Sequence, residues 1–398
     1  MANAPVAPKP YSGLVFFERG YRPFFLGAAL FVGIAIPLWV VTLETGEDIV
    51  SGISSRDYHV HEMIFGYLSA VFAGFLLTAL PNWTNRPAIA GLQLALLSLL
   101  WLLGRIAMVT STSWPLAAAI IDASFLVVVV AIAWKEVILG GSIRNYPVCL
   151  IISLLAVANI AFHYALVTES DTAMIERMSL GVPALLISLV GGRVVPNFSG
   201  NWMKQNGISP LPAAFSKYDM MVMAATAITL GSWIILPDDF VTGILFSGLS
   251  LLHLIRLYRW RGWQTGAEPL VLILHVGYFW LPLWFGLSGL AILAPEYFSA
   301  SSALHALTAG AIGTMTVAIM TRAILGHSGR KLHAGSGTQT IYVMIIWGAL
   351  MRVFAEVLPF DYLFIVSASG TLWAGGFIVF VVVYGPYCLK KKIADYSG

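Results

Sequence analysis

Charge is what this chain has least of. Only 10% of its 398 residues are Asp, Glu, Lys or Arg, while 59% are hydrophobic; soluble domains carry about 25% charged residues. That scarcity excludes an ordinary water-soluble protein. Cysteine is almost missing as well. Cys149 and Cys388 are the only two, they are far apart on or beside apolar runs, and they exclude both a disulfide framework and a thiolate metal site. No Cys-x-x-Cys-His occurs, which excludes c-type haem attachment of the usual kind. A net charge of only +3 gives no reason to expect nucleic acid. Long linkers, low-complexity tracts and obvious internal repeats are absent, so residues 1–398 read as a single membrane-embedded domain. The opening stretch MANAPVAPKPYSGLVFFERGYRPFF lacks the positive patch, short apolar core and small-residue cleavage site of a secretory signal. The first helix is therefore expected to stay and to act as its own insertion signal.

What the chain does have is apolar runs of about 20 residues, the length that crosses a bilayer as a helix. Twelve are found, at 22–43, 59–80, 88–109, 115–138, 146–167, 173–195, 215–236, 241–259, 268–292, 298–325, 338–358 and 363–387. They predict an all-α polytopic membrane protein of about twelve transmembrane helices. Charge tests the count independently, because Lys and Arg accumulate in cytoplasmic loops. With the N-terminus in the cytoplasm and sides alternating, all 22 basic residues except Arg56, Arg105, Arg177 and Arg352 fall on the cytoplasmic side. Acids such as Glu44, Asp48, Asp57, Glu169, Asp238 and Asp361 fall in the outer loops. A missed or invented helix would reverse this downstream, so the pattern predicts both termini cytoplasmic. Trp83, Trp114 and Trp134 lie near predicted ends, as interfacial anchors do. The breaks at 196–214 and 326–337 read as cytoplasmic loops.

Eight histidines carry information through their depth, taken at about 1.5 Å per helical residue. His59, His61, His163 and His305 form an outer group. His253, His275 and His327 are set toward the cytoplasm, with His333 in the loop beyond. Ionisable residues inside a membrane are costly and face the bundle interior with partners. Packing alone accounts for any single one; as a group they point to metal, since imidazole ligates metals and haem iron. His59 and His61 stand about 200° apart on a regular helix, so they serve two centres, or converge if His59 lies in an unwound first turn. Glu62 is either an acid favoured at a helix N-terminus or a proton donor or metal-site partner. Gly310 and Gly313 allow close helix approach or leave room for a flat macrocycle. Arg105 and Asp122 share an outer depth at which they can pair. Arg22, Arg193 and Arg322 sit where arginines snorkel, or where guanidinium would meet haem propionates.

The segments GYRPFFLGAALFVGIAIPLW (20–39), HVHEMIFGYLSAVFAGFLLTALPNWT (59–84), GGRVVPNF (191–198) and LHALTAGAIGTMTVAIMTRAILGHSGR (304–330) resemble the NnrS family of bacterial membrane proteins, in the family's order. The HxHEM and LHALTAGAIG…GHSGR blocks are the specific ones. The resemblance implies a protein of the bacterial cytoplasmic (inner) membrane, multi-pass in its lipid, that carries haem b (one or two) and copper and is linked to denitrification and to the nitric oxide response. The family's motifs map onto His59, His61, Glu62, His305 and His327. A looser likeness of architecture to haem-copper oxidases and nitric oxide reductases is limited: those place ligands on spans 6 and 7, where this chain has no histidine.

On this basis the expected function is to bind nitric oxide and remove it, reducing two molecules to nitrous oxide and water as a nitric oxide reductase-like oxidoreductase. His61 and His305 are expected to ligate haem, His275 with His253 or His327 to form a second centre, and His59 with His163 to hold copper. Glu62 is the expected proton-transfer group. The electron donor, quinol or a periplasmic cytochrome, stays open. The alternatives are a non-catalytic nitric oxide binder or sensor and a twelve-helix transporter.

Overall fold

In hydrocarbon a spanning segment must satisfy its own backbone N–H and C=O groups, so apolar runs of this length become helices. The computed structural model describes residues 11–50 and 52–393. The N-terminal residues 1–10, including Lys9, lie outside the described residues. Among the described residues twelve long helices follow one another: α1 (Tyr21–Thr45), α2 (Ser55–Thr84), α3 (Leu92–Val109), α4 (Pro115–Leu139), α5 (Tyr146–Val167), α6 (Ala173–Gln205), α7 (Lys217–Ile235), α8 (Phe240–Tyr258), α9 (Pro269–Leu293), α10 (Ala300–His327), α11 (Ser336–Val353) and α12 (Tyr362–Leu389). Eleven, all but α11, are long and apolar enough to cross a membrane. The 18-residue α11 has Thr338, Gln339 and Thr340 in its first turns, and it packs in the same bundle against α10 and α12. No strand occurs among the described residues. The chain is an all-helical, multi-pass membrane protein.

α3 starts at Leu92 where 88 is predicted, α11 ends at Val353 where 358 is predicted, and two helices run well beyond their predicted bounds. α2 begins at Ser55, four residues early, because the Ser54 hydroxyl caps it by accepting from the Asp57 N–H at 3.0 Å. Arg56 then clips this end to α6 through two bonds to Glu176, at 2.8 and 2.6 Å. α6 runs on to Gln205 through Pro196, where the sequence reads as a loop. A proline within a membrane helix is tolerated when neighbours satisfy the freed backbone groups. Earlier in the same helix Arg256 of α8 reaches in, and its Nη1 donates to the Ser188 carbonyl at 2.9 Å. A Cβ on Gly192 would stand 2.7 Å from the guanidinium carbon of Arg256, so the glycine makes that approach possible.

Three helices each contain a wider π turn: Glu62–Leu68 in α2, Ile187–Gly191 in α6 and Ala306–Ile312 in α10. The interval is four helices each time, a regularity with no visible repeat in the residues themselves. Such turns shift the register of side chains along one helix and concentrate at functional sites. Around the bundle, α1 lies between α12 and α2, and α3 to α6 pack in order. α8 lies between α7 and α9, and α9 meets both α6 and α10. The buried core runs through all of them. Large side chains left open, such as Leu96, Ile120, Ile228, Leu251 and Val382, suit a surface solvated by lipid.

Candidate metal centre

The start of α2 at Ser55 places His61 and Glu62 at the junction between its first turns and its π turn. Both are fully buried, at 0% and 1% exposure. Glu62 is therefore not an acid of the helix N-terminus. Its Oε1 lies 2.9 Å from His61 Nδ1, and its Oε2 accepts from Arg105 Nη1 of α3 at 2.6 Å. One turn on, Gly66 leaves the space these groups need: a Cβ there would stand 2.9 Å from Glu62 Oε2 and 3.0 Å from the Phe31 ring.

Arg105 also donates to Asp122 of α4, so one guanidinium bridges two buried carboxylates. Gly104 admits this pairing, because a Cβ there would meet Asp122 Oδ1 at 3.0 Å. The other Asp122 oxygen, Oδ2, is crowded. It lies 3.0 Å from Asn159 Nδ2, 2.8 Å from His163 Nε2 and 3.2 Å from His61 Nε2. The two Nε2 atoms are 3.3 Å apart. His61, Asp122 and His163 each offer a ligand atom within 4.8 Å of the others, and all three are buried.

The tautomer of His61 follows from its partners. A carboxylate only accepts hydrogen bonds, so Glu62 fixes the proton of a neutral His61 on Nδ1. Its Nε2 faces a carboxylate oxygen and the Nε2 of a second imidazole. Asp122 Oδ2 only accepts as well, so it either takes a proton from an imidazole Nε2 or shares a cation with both rings. With both imidazoles neutral, Arg105 supplies one positive charge against the two carboxylates Glu62 and Asp122, and a proton on His61 or a metal cation balances the remainder. A carboxylate holding the far nitrogen of a histidine is also the arrangement that orients imidazole ligands on metals.

His59, two residues before His61, turns to other neighbours. Its ring stacks on Trp39 of α1, with centroids 4.4 Å apart and planes at 15°, and it has no hydrogen-bond partner among the described residues. It lies within electrostatic range of His305 of α10 and Arg352 of α11. His305 Nδ1 is 2.7 Å from the Ser301 carbonyl, which places its proton there and leaves Nε2 with a free lone pair. Arg352 Nη1 has no partner among the described residues. The expected pairs are thus exchanged. The structure joins His61 to His163 and sets His59 with His305, where the sequence reading joined His61 to His305 and His59 to His163.

The remaining histidines do not converge. His253 lies between Thr226, at 3.0 Å from Nε2, and the Tyr278 hydroxyl, at 2.8 Å from Nδ1. His275 Nε2 is 2.7 Å from Ser199 Oγ. His327 is exposed and stacks on Tyr21, with ring centroids 5.8 Å apart. The structure does not bring His275 together with either His253 or His327 as a ligand pair. The room for a macrocycle beside Gly310 and Gly313 is filled. A Cβ on Gly310 would meet the Trp280 ring at 2.5 Å, and one on Gly313 the Trp373 Nε1 at 2.7 Å. Arg22 is likewise engaged, donating to the Cys388 and Lys390 carbonyls, each at 2.8 Å, at the end of α12. Outside the membrane helices, burial pushes the Glu268 carboxyl up. Hydrogen bonds from His333 at 2.8 Å and from the Leu270 and Ala334 N–H groups outweigh it and hold Glu268 below its ordinary value. Asn159 was not singled out by sequence, although it stands four residues before His163 on the same face of α5.

A comparison with curated proteins finds no match. Among protein families, the one described as NnrS protein matches residues 15–392, nearly the whole chain and every residue of the chamber. The chain belongs to the NnrS family.

Proposed function

We propose that this protein lies in the bacterial inner membrane with both termini in the cytoplasm, binds nitric oxide at a metal-bearing interior, and reduces it to nitrous oxide. The observation that carries the reading is the convergence of His61 Nε2, His163 Nε2 and Asp122 Oδ2 in one buried cluster. Imidazole suits copper, zinc, iron and nickel, and copper stands highest in affinity among the divalent first-row metals, so His61, His163 and Asp122 would hold it. Copper, when bound, supplies a cation that takes up and releases single electrons.

For haem b the fitting donors are His59 and His305, which keep unpartnered ring nitrogens, with Arg352 placed for a propionate by its free Nη1. Haem would add a further one-electron centre. The chain's own part is positional. Glu62 holds the His61 proton on Nδ1, Arg105 holds both carboxylates in place, and the rings of Phe65 and Phe162, 5.2 and 5.6 Å from that of His61, keep water out. Nitric oxide is small and uncharged, so it reaches such a chamber through lipid. Its reduction consumes two protons and two electrons for each pair of molecules, and Glu62 is the buried group placed to hold one of those protons.

The test is turnover. Purified protein with a reductant in excess should consume many equivalents of nitric oxide and release one nitrous oxide for every two consumed. Uptake that stops at the metal content would replace reduction by capture, and the protein would then be a binder or sensor.

A further inference from the structure

Two of the sequence's distinctive segments, GYRPFF and GHSGR, take no part in the metal chamber. They meet each other instead, at the end of the bundle where α1 begins and α10 and α12 finish. Arg22, 1% exposed, donates to the Cys388 and Lys390 carbonyls, each at 2.8 Å. Gly329, at φ +72°, turns the chain back after α10, and the Ser328 carbonyl accepts from the Ile393 N–H at 3.0 Å. The Arg330 guanidinium lies 3.9 Å from the centroid of the Tyr387 ring. His327, stacked on Tyr21, lies within electrostatic range of both Arg19 and Lys392. Three stretches distant in sequence, 17–22, 326–332 and 389–393, thus form one surface.

That surface is strongly basic. Besides the buried Arg22 it carries Arg19, Arg330, Lys331 and the lysine run 390–392, against one acid in the three stretches, Glu18, which is bonded to Arg22 at 3.1 Å. Elsewhere at this end of the bundle arginines meet carboxylates: Arg86 pairs with Glu136, and Arg256 and Arg259 with Asp219, at 2.9 and 3.4 Å. Leu332 and Ile393 stand exposed among the charges. Leading up to them, Ile378, Val382, Pro386 and Leu389 of α12 are all exposed. Their spacing of four, four and three residues puts them on one face of the helix, an apolar stripe about 16 Å long by helical rise that ends at the lysines.

The combination selects the occupant. A soluble acidic protein or a nucleic acid would match the charges and leave the stripe bare, whereas a zwitterionic lipid would cover the stripe and leave the charges unmatched. Basic clusters directly beyond a membrane helix attract anionic headgroups. We propose that this surface holds an anionic phospholipid, its acyl chain along the α12 stripe and its phosphate among Arg19, Arg330, Lys390 and Lys391. The site is independent of the metal chamber and of the nitric oxide reading.

The experiment is native mass spectrometry of the full chain, delipidated and titrated with phosphatidylglycerol or phosphatidylcholine, with a photoreactive phosphatidylglycerol in nanodiscs to map the contact. Phosphatidylglycerol should bind saturably and more tightly than phosphatidylcholine, with the photolabel on the end of α12 and the turn after α10. The triple variant Lys331→Gln, Lys390→Gln, Lys391→Gln changes three exposed side chains. It should weaken binding about fivefold for each charge removed, on the order of a hundredfold together, at an unchanged melting temperature. A second triple variant, Lys135→Gln, Lys204→Gln, Lys217→Gln, removes as many exposed lysines from other parts of the same end of the bundle and should leave binding as it was. On the unaltered protein the preference for phosphatidylglycerol should fade as salt screens the charges, a readout that serves if the first variant does not fold. No preference over phosphatidylcholine, equal losses in the two triple variants, or a preference indifferent to salt would overturn the site. Displacement of the lipid by glycerol phosphate or inorganic phosphate at matched concentration would assign the charges to a soluble phosphate compound and overturn the lipid.

Discussion

Asp122→Asn keeps the shape of the chamber and removes one negative charge. In the native protein Oδ1 accepts from Arg105 and Oδ2 faces Asn159, His163 and His61. An asparagine has one oxygen, so its amide nitrogen must confront either the guanidinium or the Asn159 and imidazole side. Disturbing a buried ion pair in this way costs on the order of 3–5 kcal/mol. The effect on copper is separate. The chamber's formal charge changes from minus one to zero, so a bound cation is no longer compensated. A unit charge about 4 Å away at an effective dielectric constant near 20 is worth about 4 kcal/mol, roughly a thousandfold in affinity. Equilibrium titration of the detergent-purified variant against buffered free copper, with thermal denaturation alongside, reads both quantities. Copper affinity within a few-fold of wild type in a folded Asp122→Asn protein would refute the assignment of Asp122 as a ligand.

Three other outcomes follow from the geometry. His305→Ala should abolish the haem absorption spectrum while leaving copper content unchanged, because the two groups of histidines face different helices; unchanged haem would remove His305 from the haem site. Gly66→Ala should lose copper and about 1–3 kcal/mol of stability, since overpacking at this position presses on Glu62 and Arg105; a denaturation curve and metal analysis report both. The lowered Glu268 carboxyl gives stability that is present above its unfolded value and is lost as pH falls through the lower folded value. Acidification below about pH 4 should therefore depress the wild-type melting temperature more than that of Glu268→Gln, and parallel falls would show that the His333 and backbone hydrogen bonds contribute nothing.

The helices were legible because hydrophobic length and the placement of Lys and Arg act on each span separately. Where the reading missed, capping or packing decided. Ser54 starts α2 early through a local bond from the Asp57 N–H, and α6 runs on through Pro196 while packed against α9. The π turns at Glu62, Ile187 and Ala306 have no residue signature at all. Within the site, Arg105 and Asp122 were brought together by depth alone, and the opposed faces of His59 and His61 followed from helical periodicity. Which helix each face meets could not be read, because the contact of α2 with α4 and the joining of His61 to His163 are set by packing order. The same holds for Asn159, whose role depends on a carboxylate 37 residues away.

The most direct test of the metal chamber is copper X-ray absorption on protein purified from copper-replete cells, for wild type and for His163→Ala. The account predicts copper near one per chain, with two imidazole nitrogens and a light oxygen donor in its scattering, and loss of that metal in the variant. Protein that is well folded yet free of copper, or copper that persists unchanged in His163→Ala, would contradict it.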